Sequence, residues 1–303
     1  MNDIELSFCF SEGFTFTKLL DYLSNNTDNG ILTFTERGFR YNELISQGDG
    51  SKKTAGSLYL KNVCEFHGDK LVDYIYKFRE PEYSVCFSVA VLKSILKGSL
   101  KKDQIHIYKT VADQNLYIRL LKSEDLNSVN ICFLKPLKME DQNIFRFPDP
   151  SREEETPNCI AEPNKFKKDC SRISPTNYKN VTIKCYNKRI EIAAISADEI
   201  NGHIITYGSS KIVPKLEIDL SKLNININKI ISEDIMVAPV DVNIIDDSNP
   251  LNINIPTRAF KNLVKISQLS SEPIKFIFKR NYIKIVTVVG TYGILRTFIS
   301  NDS

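Results

Sequence analysis

The stretch Asn164-Lys165-Phe166-Lys167-Lys168-Asp169-Cys170-Ser171-Arg172-Ile173-Ser174 interleaves two helical periods. Phe166, Cys170 and Ile173 recur at the steps that build one apolar stripe, while Lys165, Lys168 and Arg172 keep helical steps on another face. The pattern returns at 257–267, with Phe260, Leu263 and Val264 as the stripe and Arg258, Lys261 and Lys265 repeating the basic spacing. Upstream, 88–101 offers Val89, Leu92 and Leu96 beside Lys93, Lys97 and Lys101. The poorest version is 15–24, where Phe16, Leu19, Leu20 and Leu23 make the stripe and Lys18 is offset by Asp21. Short helices that repeat a cationic face suit contact with one long polyanion.

Each helix sits in a β context. Tyr83, Val85 and Phe87 alternate before the second, and Leu251, Ile253 and Ile255 before the fourth. Period-two alternation marks a strand with one buried face. Two more alternating runs follow each helix, as in Ile105/Ile107 then Leu116/Ile118/Leu120, and Ile274/Phe276/Phe278 then Ile283/Ile285. Pro256 stands at the start of the fourth helix, where its missing N–H costs little. The expected class is α+β, with strand–helix–strand–strand units duplicated within and between two similar domains. Unit spacing of roughly 75 to 95 residues is too long for a solenoid.

A chain of 303 residues fits about two domains. Prolines 136, 148, 150, 157 and 163, with the acidic run Glu153–Glu155, mark a break. We expect an N-terminal domain over 1–135, a linker over 136–157 and a C-terminal domain over 158–303. An insertion near 209–250 contains Leu223-Asn224-Ile225-Asn226-Ile227-Asn228, which reads as an extra strand. The net charge of +3 means that any polyanion affinity must come from where charge sits. Seven cysteines without a C-x-x-C pair read as small core hydrophobes in a reducing compartment. No signal peptide is visible at the N-terminus, and no run approaches the roughly 18 apolar residues of a membrane span. An intracellular, soluble protein with no membrane partner is expected.

The segment Phe166–Ser174 is similar to the F-x-R-x-C-R-D-L-S helix of sliding clamps of the proliferating cell nuclear antigen (PCNA) type. Ser94-Ile95-Leu96-Lys97 resembles that family's S-K-I-L-K, Gln268-Leu269-Ser270-Ser271 its P-L-S-S, and Gly293-Ile294-Leu295-Arg296-Thr297-Phe298 its G-H-L-K-Y-Y. The resemblance runs over nearly the whole chain in consistent order. It implies a DNA clamp fold with sheets outside and four short helices lining a central hole, closed as a homotrimer. It also implies a non-enzymatic processivity factor that encircles double-stranded DNA without reading sequence. Such a factor tethers DNA polymerase and other replication or repair proteins, with a clamp loader as a further partner.

Carried over residue by residue, the resemblance assigns DNA contact to Lys18, Lys97, Lys168, Arg258 and Lys265, and the basic spacing adds Lys93, Lys101, Arg172 and Lys261. Ser171 stands where the family has an arginine, with Arg172 adjacent as a substitute. Partner peptides would dock on Ile144, Phe145 and Phe147 of the linker with Phe298 and Ile299 of the C-terminal strand. Subunits would pair edge to edge, Asn130, Ile131, Cys132, Phe133 and Leu134 against Ile204, Ile205, Thr206 and Tyr207. Abundant Ile, Asn and Lys suggest an AT-rich genome, and together with the divergence point to a large DNA virus. The site of action would be the nucleus or a viral replication site.

Catalytic readings find less support. His67, His106 and His203 lack a nucleophile or paired carboxylate nearby in sequence, and no metal-ligand grouping or cofactor motif appears. Gly48-Asp49-Gly50-Ser51-Lys52-Lys53-Thr54 lacks the spacing of a phosphate loop and reads as a hairpin tip. The runner-up keeps the fold and changes the role: a monomeric processivity subunit, or a transcription or checkpoint factor, with the 209–250 insertion capping an edge strand. An enzyme on a duplicated β scaffold is the third class.

Overall fold

The computed structural model describes residues 4–43, 58–123, 129–137, 155–196, 201–208, 228–231, 249–280 and 282–301. By contact, the chain forms two units. One comprises Met1–Gly50, Asn62–Asp149 and Val288–Arg296, and the other Ser51–Lys61, Pro150–Thr287 and Thr297–Ser303. The Gly48–Thr54 stretch lies outside the described residues.

In the first unit the order is β1 (Ile4–Phe10), α1 (Gly13–Leu23), β2 (Asn29–Thr35), β3 (Gly38–Glu43), β4 (Leu58–His67), β5 (Val72–Tyr76) and β6 (Tyr83–Ser88). Then come α2 (Val89–Ile95), β7 (Gln104–Thr110), β8 (Leu116–Leu121) and β9 (Val129–Leu134). Strands pair antiparallel in the order β5-β1-β7-β8-β9, and again as β6-β2-β3-β4. Alternation decides which side chains go inside: Leu6, Phe8 and Phe10 of β1 are fully buried. Aromatic rings fill the space between sheet and helix. Phe10 stacks on Phe16 at 4.3 Å, Phe39 on Phe66 at 4.4 Å, and Tyr292 meets Phe10 edge-on at 5.3 Å.

The second unit repeats the plan with β10 (Cys159–Ala161), α3 (Pro163–Cys170), β11 (Asn180–Tyr186), β12 (Arg189–Ile195), β13 (Gly202–Gly208), β14 (Asn228–Ile231) and β15 (Leu251–Pro256). They are followed by α4 (Thr257–Leu263), a 3₁₀ turn at Val264–Gln268, β16 (Ile274–Phe278), β17 (Tyr282–Val289) and β18 (Gly293–Asn301). The order β14-β13-β12-β11-β15 is antiparallel except for β14, which joins β13 in parallel. β10, β16 and β17 pair antiparallel. Phe166 sits between Phe276 at 5.9 Å and Tyr207 at 5.8 Å. β4, β17 and β18 are each divided between the units, Leu58–Lys61 of β4 falling with the second. The chain is thus α+β, with antiparallel strands dominating and the strand–helix–strand–strand unit recurring four times.

Every residue assigned to an apolar stripe is buried, from Phe16 to Val264. The helices are shorter than the periodicity suggests. The expected helix over 88–101 stops at Ile95 because Gly98 takes φ +92, the left-handed region that favours glycine. Ser99 Oγ then donates back to the Leu96 carbonyl at 2.9 Å, and Asp103 Oδ2 accepts the Leu100 N–H at 2.8 Å. Likewise α3 ends at Cys170 with Ser171 as its cap, so Arg172 lies just past the helix. No helix among the described residues is long and apolar enough to cross a membrane.

Candidate nucleic-acid interface

Within each unit the two helices pack together, α1 against α2 and α3 against the 3₁₀ extension of α4. Counted from their first residues, the pairs correspond: Phe16 and Phe166 are both fourth and buried, as are Leu92 and Phe260. Lys93 and Lys261 are both fifth, and each reaches across to the same place on its partner helix. Lys93 Nζ lies 2.6 Å from Asp21 Oδ1 and 3.1 Å from Ser24 Oγ. Lys261 Nζ donates to the Ser171 carbonyl at 2.9 Å. Asp21 and Ser171 are both ninth from their helix starts. A cation at the C-terminal end of a helix also complements its dipole.

The remaining basic residues divide by surroundings. Lys97, Lys101, Lys168, Arg172 and Arg258 are exposed, and among the described residues no carboxylate pairs with them. Lys18 is half-buried with its ammonium 4.9 Å from the Phe14 ring centroid, a cation–π contact. Lys265 is half-buried in the 3₁₀ turn. Lys165 and Lys167 add cations to the solvent side of α3. Of the nine nominated cations, Lys93 and Lys261 serve as staples between helices.

Two acids near these faces are turned inward, while Asp21 is half-buried and Glu12 and Glu162 are exposed at the starts of α1 and α3. Asp103, wholly buried, accepts from the Leu100 and Ser123 N–H groups. Burial raises its carboxyl, but those bonds and Lys122 outweigh burial and hold it below the usual range. Asp169, on the buried side of α3, accepts the Tyr207 hydroxyl at 3.1 Å. Burial pushes the Tyr207 hydroxyl and the Cys170 thiol upward, which leaves both neutral near neutral pH. Neither acid was singled out by periodicity, since each looks in sequence like an ordinary charged neighbour of lysines.

His106 accepts or donates with Ser7 Oγ at 2.9 Å on β1, and burial followed by Arg119 lowers its pKa. His203 is lowered by burial and then by Arg172. Among the described residues no group of three or more His, Cys, Asp or Glu is placed to hold a metal ion.

At the nominated subunit edges the two strands differ. β9 is the outermost strand of its sheet, with Phe133 at 62% and Ile131 at 56% exposure facing solvent. β13 is not a bare edge, because β14 pairs with it through His203–Thr206 and Asn228–Ile231. That corrects the expectation of a free edge at Ile204–Tyr207. Of the nominated docking residues, Ile144, Phe145 and Phe147 lie outside the described residues. Phe298 and Ile299 are buried, Phe298 against the Tyr282 ring at 5.8 Å, so neither presents an open apolar surface.

No family model matches the chain, and no curated protein matches it. In structure it is similar to the proliferating cellular nuclear antigen of Entamoeba histolytica, with a TM-score of 0.67 and 10% identity over 99% of this chain and 100% of that one. The duplicated α+β architecture built up above is therefore the fold of a PCNA-type clamp.

Proposed function

We propose that the chain is a non-enzymatic sliding clamp that holds duplex DNA and tethers DNA polymerase and other replication or repair proteins. The observation that carries the reading is that both units present a packed helix pair with exposed cations while the nearby acids Asp103 and Asp169 are turned inward. A clamp must grip phosphates without reading bases, and exposed lysines give weak, exchangeable, sequence-independent contacts. Residence then comes from closure around the duplex. Lys18, Lys97, Lys101, Lys168, Arg172, Arg258 and Lys265 are the residues proposed to face DNA.

Closure would use β9 of one copy as one edge of a homotrimer, with a clamp loader opening the ring. Since β14 covers β13, the receiving edge would be β14 or β15, the outermost strands of that sheet. Partner peptides would dock beside β18 and the segment carrying Ile144, Phe145 and Phe147. The domain limits 1–135 and 158–303 and an origin in a large DNA virus, acting at its replication site or in the nucleus, belong to the same proposal. Retention on a nicked circle and release on linearisation test it: equal retention on both forms would leave encirclement without support.

One observation favours a second reading. β14 caps β13 in parallel, which is what an edge-blocking insertion would do in a monomeric processivity subunit or a clamp-fold transcription or checkpoint factor. Binding indifferent to linearisation, with a single subunit mass in solution, would select it.

A further inference from the structure

We infer that the helix pair of the second unit is the stronger phosphate-contacting face of this chain, an inference that rests on the proposed clamp function. The two pairs can be compared position by position because their frameworks coincide. Beyond Phe16/Phe166 and Lys93/Lys261, Ser99 and Ser267 fall at the same place after their helices. Both are buried, and each turns its hydroxyl back onto a helix-end carbonyl, at 2.9 Å on Leu96 and 2.7 Å on Val264.

The differences at solvent-reaching positions of that shared frame run one way. The one acid that the second unit gains, Asp169 where the first has Leu19, is buried against Tyr207. Thr15 stands where the second unit has Lys165, both half-buried, and Ala90 where it has Arg258, both exposed. Asp21 stands where it has Ser171. The staple of the first unit is thus a neutralised ion pair, while that of the second unit sets a full cation on a carbonyl dipole and keeps its charge. Because α1 runs on through Leu23, Tyr22 is helical and buried where the shorter α3 has already ended and Arg172 is exposed.

The first unit places its extra cations past the helix instead. Lys101 and Lys102 are exposed turn residues where the second unit has Leu269 and Ser270. Cations held on one face of a rigid helix sum their fields and keep their positions. Sequence-adjacent lysines on a turn share neither advantage.

The test exchanges residues that this chain already carries at corresponding positions, so each variant is expected to fold. Lys165→Thr/Arg258→Ala writes the first unit's residues into the second. Thr15→Lys/Ala90→Arg does the reverse, and Lys101→Leu/Lys102→Ser rewrites the turn. Full-length proteins, checked by circular dichroism, are titrated against a fluorescent linear duplex through a low-salt series. The slope of log affinity against log salt should become shallower by about 1 to 2 in the first variant and steeper by a similar amount in the second. The turn variant should change it less than either. A turn variant that loses more slope than the helix variant, or a Thr15→Lys/Ala90→Arg slope that stays put, overturns the inference while leaving polyanion binding intact. If the unmodified chain shows no salt-dependent duplex association at all, the clamp reading falls as well.

Discussion

Lys93 Nζ lies 2.6 Å from Asp21 Oδ1, and the corresponding Lys261 Nζ lies 2.9 Å from the Ser171 carbonyl. The relationship gives both lysines a mechanical task. In both units the second helix is fastened to the C-terminal end of the first, which fixes the surface on which the other cations stand.

Removing the staple should therefore alter stability more than DNA affinity. Lys93→Met is expected to cost about 0.5 to 1 kcal/mol, the range of a partly exposed ion pair aided by a helix C-terminus. A double-mutant cycle with Asp21→Asn should return a coupling of about 0.5 kcal/mol in denaturant unfolding. Lys97→Glu should show the opposite profile, with unfolding unchanged and duplex affinity reduced. Equal losses of affinity in both variants would mean that Lys93 contacts phosphate directly.

Much of the fold was legible because burial follows periodicity. Phe166, Cys170 and Ile173, or Val89, Leu92 and Leu96, announce a buried stripe by spacing alone, and all six are buried. What spacing could not convey was partnership between distant segments. Nothing near Lys93 in sequence points to Asp21, and nothing near Asp169 points to Tyr207. Helix ends escaped for a related reason. The conformation of Gly98 and the backward hydrogen bond of Ser99 end α2, yet Lys97 and Lys101 continue a helical step beyond it. The pairing of β14 with β13 is parallel and joins distant stretches, so no hairpin signal marked it.

Glu155 gives a pH dependence with a definite sign. Its carboxylate pairs with Lys279 Nζ at 2.7 Å and with Lys284, whose side chain is 9% exposed. Burial alone would raise the carboxyl, but the two ammonium groups outweigh it and hold the pKa below the ordinary 4.5. The folded value is depressed, so the contribution is complete above 4.5 and disappears as pH falls through the lower folded value. Glu155→Gln should cost about 1 to 3 kcal/mol at neutral pH, because it strands a buried ammonium. Its unfolding midpoint should also fall less steeply than wild type below pH 5 (roughly one unit above the carboxylate range). Parallel curves for the two proteins would dismiss the ion pair as a contributor.

The β2–β3 hairpin turns on Gly38, whose φ of +140 is poorly tolerated by other residues. A Cβ there would meet the Phe66 carbonyl oxygen at 2.0 Å, and backbone cannot give way as a flexible side chain can. Tyr74 fastens the same turn, its hydroxyl within 2.6 Å of the Thr35 carbonyl and 2.8 Å of the Gly38 carbonyl. Gly38→Ala is expected to lose about 2 to 3 kcal/mol, combining strain with a steric clash. Thermal unfolding measures it, and a loss under about 0.5 kcal/mol would show that the hairpin relaxes freely.

Edge strand β9 links the fold to assembly. A strand edge with no partner among the described residues, flanked by exposed Phe133 and Ile131, is a template for a second chain. In a closed ring that edge is used, and every copy gives what its neighbour receives. Phe133→Lys places a charge on the exposed face without touching the core, so folding stability should move by no more than about 0.5 kcal/mol. Light scattering should give three subunit masses for the unmodified protein and one for the variant, and loading onto nicked circles should be lost with it. An unmodified protein that already scatters as one subunit would mean that β9 stays open, and that β14 on β13 is the feature that decided the assembly.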